Sequence, residues 1–460
     1  MAKSTTRDMT EGNPMKLILG FSLPLLFGFL FQQFYSLADT VIVGRILGVK
    51  ALAAVGATGS VNFLIIGFCM GVCSGFGIPI AQKFGAKDED GLRKFVANSV
   101  YLAAAFAVVM TVVVVVYCRP ILELMKTPAD IIDGAYKYIV IIFWGIPVTY
   151  LYNLLSAYIR SLGDSKTPVL FLTIASVLNI ILDFAFILGL HMGVEGAALA
   201  TVISQFVSGV CCFFYMIKRF EVLRLKKEDW KADAYFMKLL CAMGLPMGLQ
   251  YSITAIGSVI LQSAVNTLGS TVVAAVTAAS KIGMFFACPF DAMGNTMSTY
   301  GGQNVGAKKL DRVHEGMKNC ILLGVVYSFV ALGIIYFFGK DIALLFIDGK
   351  ETGILNNVQK YLLWNAAFYI PLAFVNIVRF MIQGLGFSKF AVIAGVCEMI
   401  ARGIVGAFLV PVFGFTAACL ASPLAWIAAD IFLIPAYLSV MKKLRKMFQH
   451  DEEPLKIAEQ

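Results

Sequence analysis

Charge is what this sequence has least of. Only 14% of its 460 residues are Asp, Glu, Lys or Arg, against 59% hydrophobic ones, and the mean hydropathy is +0.82. That balance excludes a soluble globular surface. Histidine is scarcer still: His191, His314 and His450 fall in expected loops or the tail, which leaves little material for a metal site. The ten cysteines lack the paired spacing of a zinc or redox motif and sit almost entirely in apolar runs, as small buried hydrophobes do. Ten-residue alternating segments, which a transmembrane barrel needs, are absent. The net charge of +9 comes without a folded basic domain, so no nucleic-acid partner is expected. The first apolar run starts near Leu17, continues too far and lacks a small-residue cleavage site, so it is expected to be a retained helix.

What is present is a series of long apolar runs. An α-helix needs roughly 20 residues to cross a bilayer core of about 30 Å. The charge-free stretches 95–118, 196–217, 319–339 and 403–429 meet that length, and 239–280 reads as two helices around Gly269 and Ser270. The pattern predicts an all-α integral membrane protein with twelve transmembrane helices near 17–44, 52–81, 95–118, 131–158, 168–190, 195–217, 237–267, 272–300, 317–338, 356–382, 390–411 and 416–440. Basic residues are unevenly shared between the two sets of loops. Lys3, Arg7, Lys16, Lys83, Lys87, Arg93, Lys94, Arg160, Lys166, the groups within 218–238 and 442–446, Lys308, Lys309, Arg312, Lys318 and Lys389 fall on one side. The other side has chiefly Arg45, Lys50, Arg119, Lys126, Lys340 and Lys350. The positive-inside rule then predicts cytoplasmic termini in a plasma (inner) membrane.

The chain repeats itself. Leu23-Pro24 matches Leu245-Pro246, Leu47-Gly48 matches Leu268-Gly269, Gly85-Ala86-Lys87 matches Gly306-Ala307-Lys308, and Leu162-Gly163 matches Leu385-Gly386, all about 221 residues apart, as Gln82 is from Gln303. Two six-helix lobes are expected, 1–217 and 237–440, joined by a basic cytoplasmic linker at 218–236 that acts as a flexible joint and followed by a cytoplasmic tail at 441–460. An even number of spans per repeat gives both halves the same orientation, with a pseudo-axis along the membrane normal. That geometry suits alternating access, so a transporter is expected, here as a monomer in the lipid bilayer.

Polar residues in the first half fall at helical spacing. Gln32, Tyr35 and Asp39 share a face of the first span, Asn153 and Ser156 one of the fourth, Asn179 and Asp183 one of the fifth, and Thr201 and Gln205 one of the sixth. A carboxylate at membrane depth costs on the order of 3 kcal/mol and is rarely kept without a partner or a task. Asp39 is therefore read as the central ion-coupling carboxylate with Asp183 as its partner. Two carboxylates with amide and hydroxyl oxygens suit a hard monovalent cation, and two close acids equally suit a proton. The alternative is that these groups, Tyr35 and Asn153 above all, are hydrogen-bonding glue between helices.

The run Pro24, Gln32, Tyr35, Asp39, Gly44, Leu47-Gly48, then Gln82 with Gly85-Ala86, Gly163-Asp164, Asn179 with Asp183, and Gly196 to Thr201 resembles the multidrug and toxic compound extrusion (MATE) transporters over essentially the whole chain. The resemblance implies a two-lobed, twelve-helix, cation-coupled antiporter that expels organic, often cationic, compounds, with no cofactor beyond H+ or Na+ as coupling ion. It also implies that Asp39, Asn179, Asp183 and Thr201 occupy positions where some members bind that ion, Na+ included. Positions matching Asp39 in the second half are Ile260 or Leu261, which argues against a second cation site of the kind other branches carry.

The second half has Lys281, Asp291, Arg379, Glu398 and Arg402 instead. Gln32, Gln205, Asp291, Glu398 and Arg379 are candidate substrate-cavity residues. Glu398 and Arg402, four apart, also suit a structural ion pair, and Arg379 stands near enough to the cytoplasmic end to snorkel. Pro24 and Pro246 are read as the one matched pair of intrahelical prolines, either a hinge beneath Asp39 or a fixed kink. Phe31, Phe34, Met70, Phe285, Phe286, Met293 and Phe368 are candidates for an adaptable apolar cavity, or simply packing. Two rival readings stay open. A flippase for lipid-linked precursors would want basic residues in the first half's spans, which are nearly absent. An intramembrane enzyme would want a metal pair, a catalytic His or a Ser-Lys dyad at depth, and none is visible.

Overall fold

The computed structural model describes residues 7–345, 347 and 351–457, with side chains as far as residue 449; Lys3 and Lys350 lie outside the described residues. Inside a bilayer every backbone N–H and C=O must be paired within the protein, and a helix does this locally. No strand occurs among the described residues. The first half runs α1 (Pro14–Ile46), α2 (Val49–Ala57), α3 (Gly59–Gly85), α4 (Glu89–Val116), α5 (Cys118–Leu124), α6 (Ile132–Trp144), α7 (Ile146–Ser161), α8 (Lys166–Phe184) and α9 (Val194–Arg219). The second runs α10 (Ala234–Asn266), α11 (Ser270–Gly306), α12 (Leu310–Ala343), α13 (Thr352–Ala367), α14 (Tyr369–Gly384), α15 (Lys389–Ile404), α16 (Val410–Phe413) and α17 (Phe415–Ile457).

Ten of the described helices are long and apolar enough to span alone, and twelve spans result when two bent pairs each count as one. The expected fourth and tenth spans are thus broken, by 47° between α6 and α7 and by 53° between α13 and α14. Pro147 and Pro371 follow these breaks, where a missing N–H is tolerated in the first turn. They form a second matched proline pair, so the reading of Pro24 and Pro246 as the sole pair is corrected. His314, expected in a loop, lies in the first turns of α12.

The repeat reaches the backbone. Gly48 and Gly269 both take a left-handed φ, 88° and 93°, and Gly163 and Gly386 do likewise at 84° and 96°. Even Lys87 and Lys308 share a φ of 57°. The helices α8 and α15 each run on into a π-helical turn, Ala185–Gly189 and Val405–Leu409.

Two compact units emerge. One holds Leu23–Ser252 with the residues up to Asp8; the other holds Met9–Ser22 and everything from Ile253 onward. The dividing lines therefore fall inside α1 and α10, away from the linker. Glycine explains the second line: a Cβ on Gly75 would meet the Gly244 Cα at 2.5 Å, and one on Gly71 the Met247 carbonyl oxygen at 2.6 Å, so α10 lies backbone to backbone on α3. Hydrogen bonds explain the first. The Met9 N–H donates to Gln303 Oε1 at 2.8 Å, and Lys309 and Arg312 donate to the carbonyls of Thr10 and Gly12, each at 3.0 Å.

The linker is anchored, not free. Asn98 on α4 donates to the Lys231 carbonyl at 3.3 Å and accepts from the Asp233 N–H at 2.9 Å, while Arg93 pairs with the buried Asp229 at 3.4 Å. Nearby, Asp88 caps α4 by accepting from the Gly91 N–H at 2.9 Å. The Lys83 ammonium beside it and that same N–H hold its carboxyl below the usual carboxylate range. Side chains invert the soluble pattern on the outside: Val108, Val109, Val112, Val113 and Val116 of α4 are all exposed, as a lipid-facing helix demands.

Gly75→Val should overpack the α3–α10 crossing and cost about 1–3 kcal/mol. Gly56→Val, whose Cβ points into open space, should not. Thermal unfolding of the two purified variants checks this: a lowered midpoint for the first, and none for the second.

Candidate functional site

In the first unit a cavity of about 320 Å³ opens between α1, α3, α6, α7, α8 and α9. Gln32, Tyr35 and Asp39 line it from α1, Asn153 and Ser156 from α7, and Thr201 and Gln205 from α9. The polar residues at helical spacing thus converge on one space. Met70 of α3 lines it as well, whereas Phe31 and Phe34 are exposed and are not among its lining residues.

Tyr35, Asp39 and Thr201 of its lining join a buried pair behind them, Asn179 and Asp183. Asn179 is 1% exposed and Asp183 not at all. The Tyr35 hydroxyl is 3.4 Å from that of Thr201. With its nitrogen toward Asp183, the Asn179 amide donates to Oδ2 at 3.0 Å, and its oxygen accepts from the Thr201 hydroxyl at 3.2 Å. The carboxyl groups of Asp39 and Asp183 meet each other, and Oδ1 of each is buried without a hydrogen-bond partner. Two facing carboxylates in a protein interior repel, and a proton or a cation between them removes that cost. The oxygens of Asp39, Asp183, Asn179 and Thr201 are the donor set a hard cation takes, and the orphaned Oδ1 atoms leave it capacity.

Other members are engaged within the protein. Asn153 donates to the Thr149 carbonyl of its own helix at 2.8 Å, and the Thr149 hydroxyl donates to Gln205 Oε1 at 3.4 Å. The cavity also holds a base, Arg160 at the end of α7, which the sequence marks only as one of the basic residues that set topology. Its signal in the sequence was a cation closing an otherwise apolar span.

The second unit treats its charges differently. Arg379 donates to Glu398 Oε1, and Arg402 donates to Glu398 Oε2 at 3.3 Å. All three are buried, at 5%, 4% and 7% exposure for Arg379, Glu398 and Arg402. Arg379 is therefore no snorkelling residue: one buried carboxylate is shared by two guanidiniums, the structural ion pair being a triad. The group also includes Asp430 of α17, 8% exposed, in electrostatic reach of Arg379 and Glu398 and with an unpartnered Oδ1. Sequence reading missed it, though it is the sole acid between 416 and 440. Asp291, the remaining candidate, is exposed on α11.

A membrane-embedded bundle of two six-span repeats, with a carboxylate pair at a cavity in one unit, defines a transporter and not an enzyme. The MatE family profile matches residues 24–185 and 246–409, one match in each repeat, and the chain belongs to the MATE family of transporters. It is 31% identical to a probable multidrug resistance protein, YpnP, of Bacillus subtilis (strain 168), over 81% of this chain and 82% of that one. It is 22% identical to an FAD transporter of Shewanella oneidensis, over 84% and 85%. Among solved structures, a MATE protein in complex with MaL6 superposes with a TM-score of 0.89 at 24% identity, covering 97% of this chain and all of that one. An outward-facing multidrug resistance MATE transporter of the MOP superfamily gives 0.88, also at 24%, covering 96% and 100%.

Glu398→Gln would leave Arg379 and Arg402 without their shared counter-charge, and removing one partner of a buried ion pair typically costs about 3–5 kcal/mol. A clear fall in the thermal midpoint of the purified protein is expected; an unchanged midpoint would mean that the network is not structural.

Proposed function

We propose that this transporter is a cation-coupled antiporter, driven by H+ or Na+, that exports organic, cationic amphipathic compounds from the cell by alternating access. It would sit in the plasma membrane with both termini in the cytoplasm, since the basic residues gather on that side. The observation that carries the reading is the Asp39–Asp183 pair: a half-buried carboxyl against a fully buried one, each with a buried, orphaned oxygen, Asp39 also lining the cavity. The multidrug names of relatives such as YpnP support a drug-like cargo.

The chemistry follows from charge. With no ion loaded, the pair carries uncompensated negative charge, and an organic cation in the cavity relieves it through Asp39. A proton or Na+ entering the pair neutralises the same carboxylates and removes that attraction. Competition for one charge is sufficient for exchange, because each cargo is favoured where the other is absent. Tyr35 and Asn179 would fix the pair through Thr201, their common neighbour on α9. If the ion is Na+, the oxygens of Asp39, Asp183, Asn179 and Thr201 would hold it; if it is H+, the proton would be shared between the carboxyls. A lipid-linked precursor flippase is not favoured, since Arg160 is the single Lys or Arg among the cavity's lining residues.

The test is export of a fluorescent organic cation from proteoliposomes under an imposed pH or Na+ gradient. The gradient that drives export names the ion. Asp39→Asn should lower the driven rate by at least about tenfold with the fold retained. Wild-type rates in the mutant would make Asp39 structural.

A further inference from the structure

Two charges on α11 are used by neither the Asp39–Asp183 carboxyl pair nor the buried network. Lys281 lies about 16 Å from the helix start at Ser270, and Asp291 about 22 Å from its end at Gly306, at 1.5 Å per residue. Both are exposed, with Met284 at 56% exposure between them. Neither side chain has an ion-pair or hydrogen-bond partner among the described residues; the Asn295 amide near Asp291 bonds its backbone carbonyl at 2.9 Å. The same helix packs its other residues, Ile282, Cys288, Phe290 and Ala292 among them, into the unit.

An exposed, unpaired ion at membrane depth costs on the order of 3 kcal/mol if lipid surrounds it. Two of opposite sign on one span, separated by an adaptable methionine, are better explained if that face lines a water-filled path. The first unit's cavity has the same polarity, with Asp39 and Arg160 lining one space and no ion pair between them among the described residues.

We propose that Lys281 and Asp291 form a bipolar recognition seam, so that the preferred cargo is an amphipath bearing an anionic group, a carboxylate or phosphate, as well as a cationic one. Lys281 takes the anion, Asp291 takes the cation, and Met284 packs against the apolar body. The seam deepens the export reading above and rests on it. A simple organic cation uses one end only. The zwitterion uses both, about 15 Å apart along the helix, the rise over ten residues.

The experiment compares two fluorescent probes on one extended aromatic scaffold in proteoliposomes: an ω-amino acid with its amine and carboxylate at opposite ends, about 15 Å apart, and its methyl ester, which keeps the amine and lacks the acid. With wild type, kcat/KM should favour the amino acid. Lys281→Gln should cut the ratio of amino acid to ester by at least about tenfold, through KM, and Lys281→Arg should restore it. A ratio unaltered in Lys281→Gln, with both probes transported, overturns the seam alone and makes Lys281 a lipid-snorkelling residue. Equal loss of both probes in Lys281→Gln without rescue in Lys281→Arg also overturns it, as a structural effect. Failure of wild type to move either probe overturns the export reading on which the seam rests.

Discussion

An ionised group inside an apolar slab must be paired, shared with an ion that comes and goes, or set against water. The rest of this structure is arranged around that constraint. Glu398 is fully consumed by Arg379 and Arg402. Asp39 and Asp183 face one another, each with an orphaned Oδ1 and with no ion pair to a protein cation among the described residues. Lys281 and Asp291 stand exposed and apart. With 14% charged residues in the chain, few ions exist to be placed, so each placement is informative.

The backbone obeys a related constraint. A break in a span frees N–H and C=O groups that lipid cannot satisfy, so breaks occur where the protein re-satisfies them. Both bends are handled alike: the Gly145 N–H bonds back to the Ile141 carbonyl at 3.0 Å, and the Phe368 N–H to that of Asn365 at 3.0 Å. The π-helical turns after α8 and α15 likewise keep the chain hydrogen-bonded while shifting its register. One of them follows Asp183 directly, at the end of the helix that carries the acid. In that way a bilayer-spanning helix is redirected beside the site without exposing an orphaned amide.

Much of this was legible in the sequence for physical reasons. Span length is set by bilayer thickness, and apolar run length reports it directly. The matched Leu-Gly and Gly-Ala-Lys steps reported the repeat because only certain residues fit a left-handed φ or a helix end. The convergence of Gln32, Asp39, Asn153 and Thr201 was readable because helical spacing fixes which residues share a face. What spacing cannot supply is the direction of that face relative to other helices. Arg379 therefore looked like a residue reaching for water, when a carboxylate 19 positions away on α15 was its partner. Asp430 was hidden for the same reason. The halving of α1 and α10 between the two units depended on Gly71 and Gly75 meeting a backbone, and a glycine in a span does not say what approaches it.

The divergence of the repeats is the most telling feature. The helices α8 and α15 occupy corresponding places, share the π-helical turn, and each carry an acid near the middle or end of a span. In α8 the acid is Asp183, joined to Asn179 four residues earlier by an amide that neutralises nothing. In α15 it is Glu398, joined to Arg402 four residues later by a guanidinium that neutralises it. Corresponding helices thus carry opposite electrostatic solutions, at positions the repeat does not match. A permanently compensated acid contributes rigidity, because separating it from two arginines in a dry interior is costly. An uncompensated one contributes responsiveness, because its energy depends on whether an ion is present. Division of labour between a stiff half and a responsive half then requires no new fold, only a different placement of acids, amides and bases along matched helices.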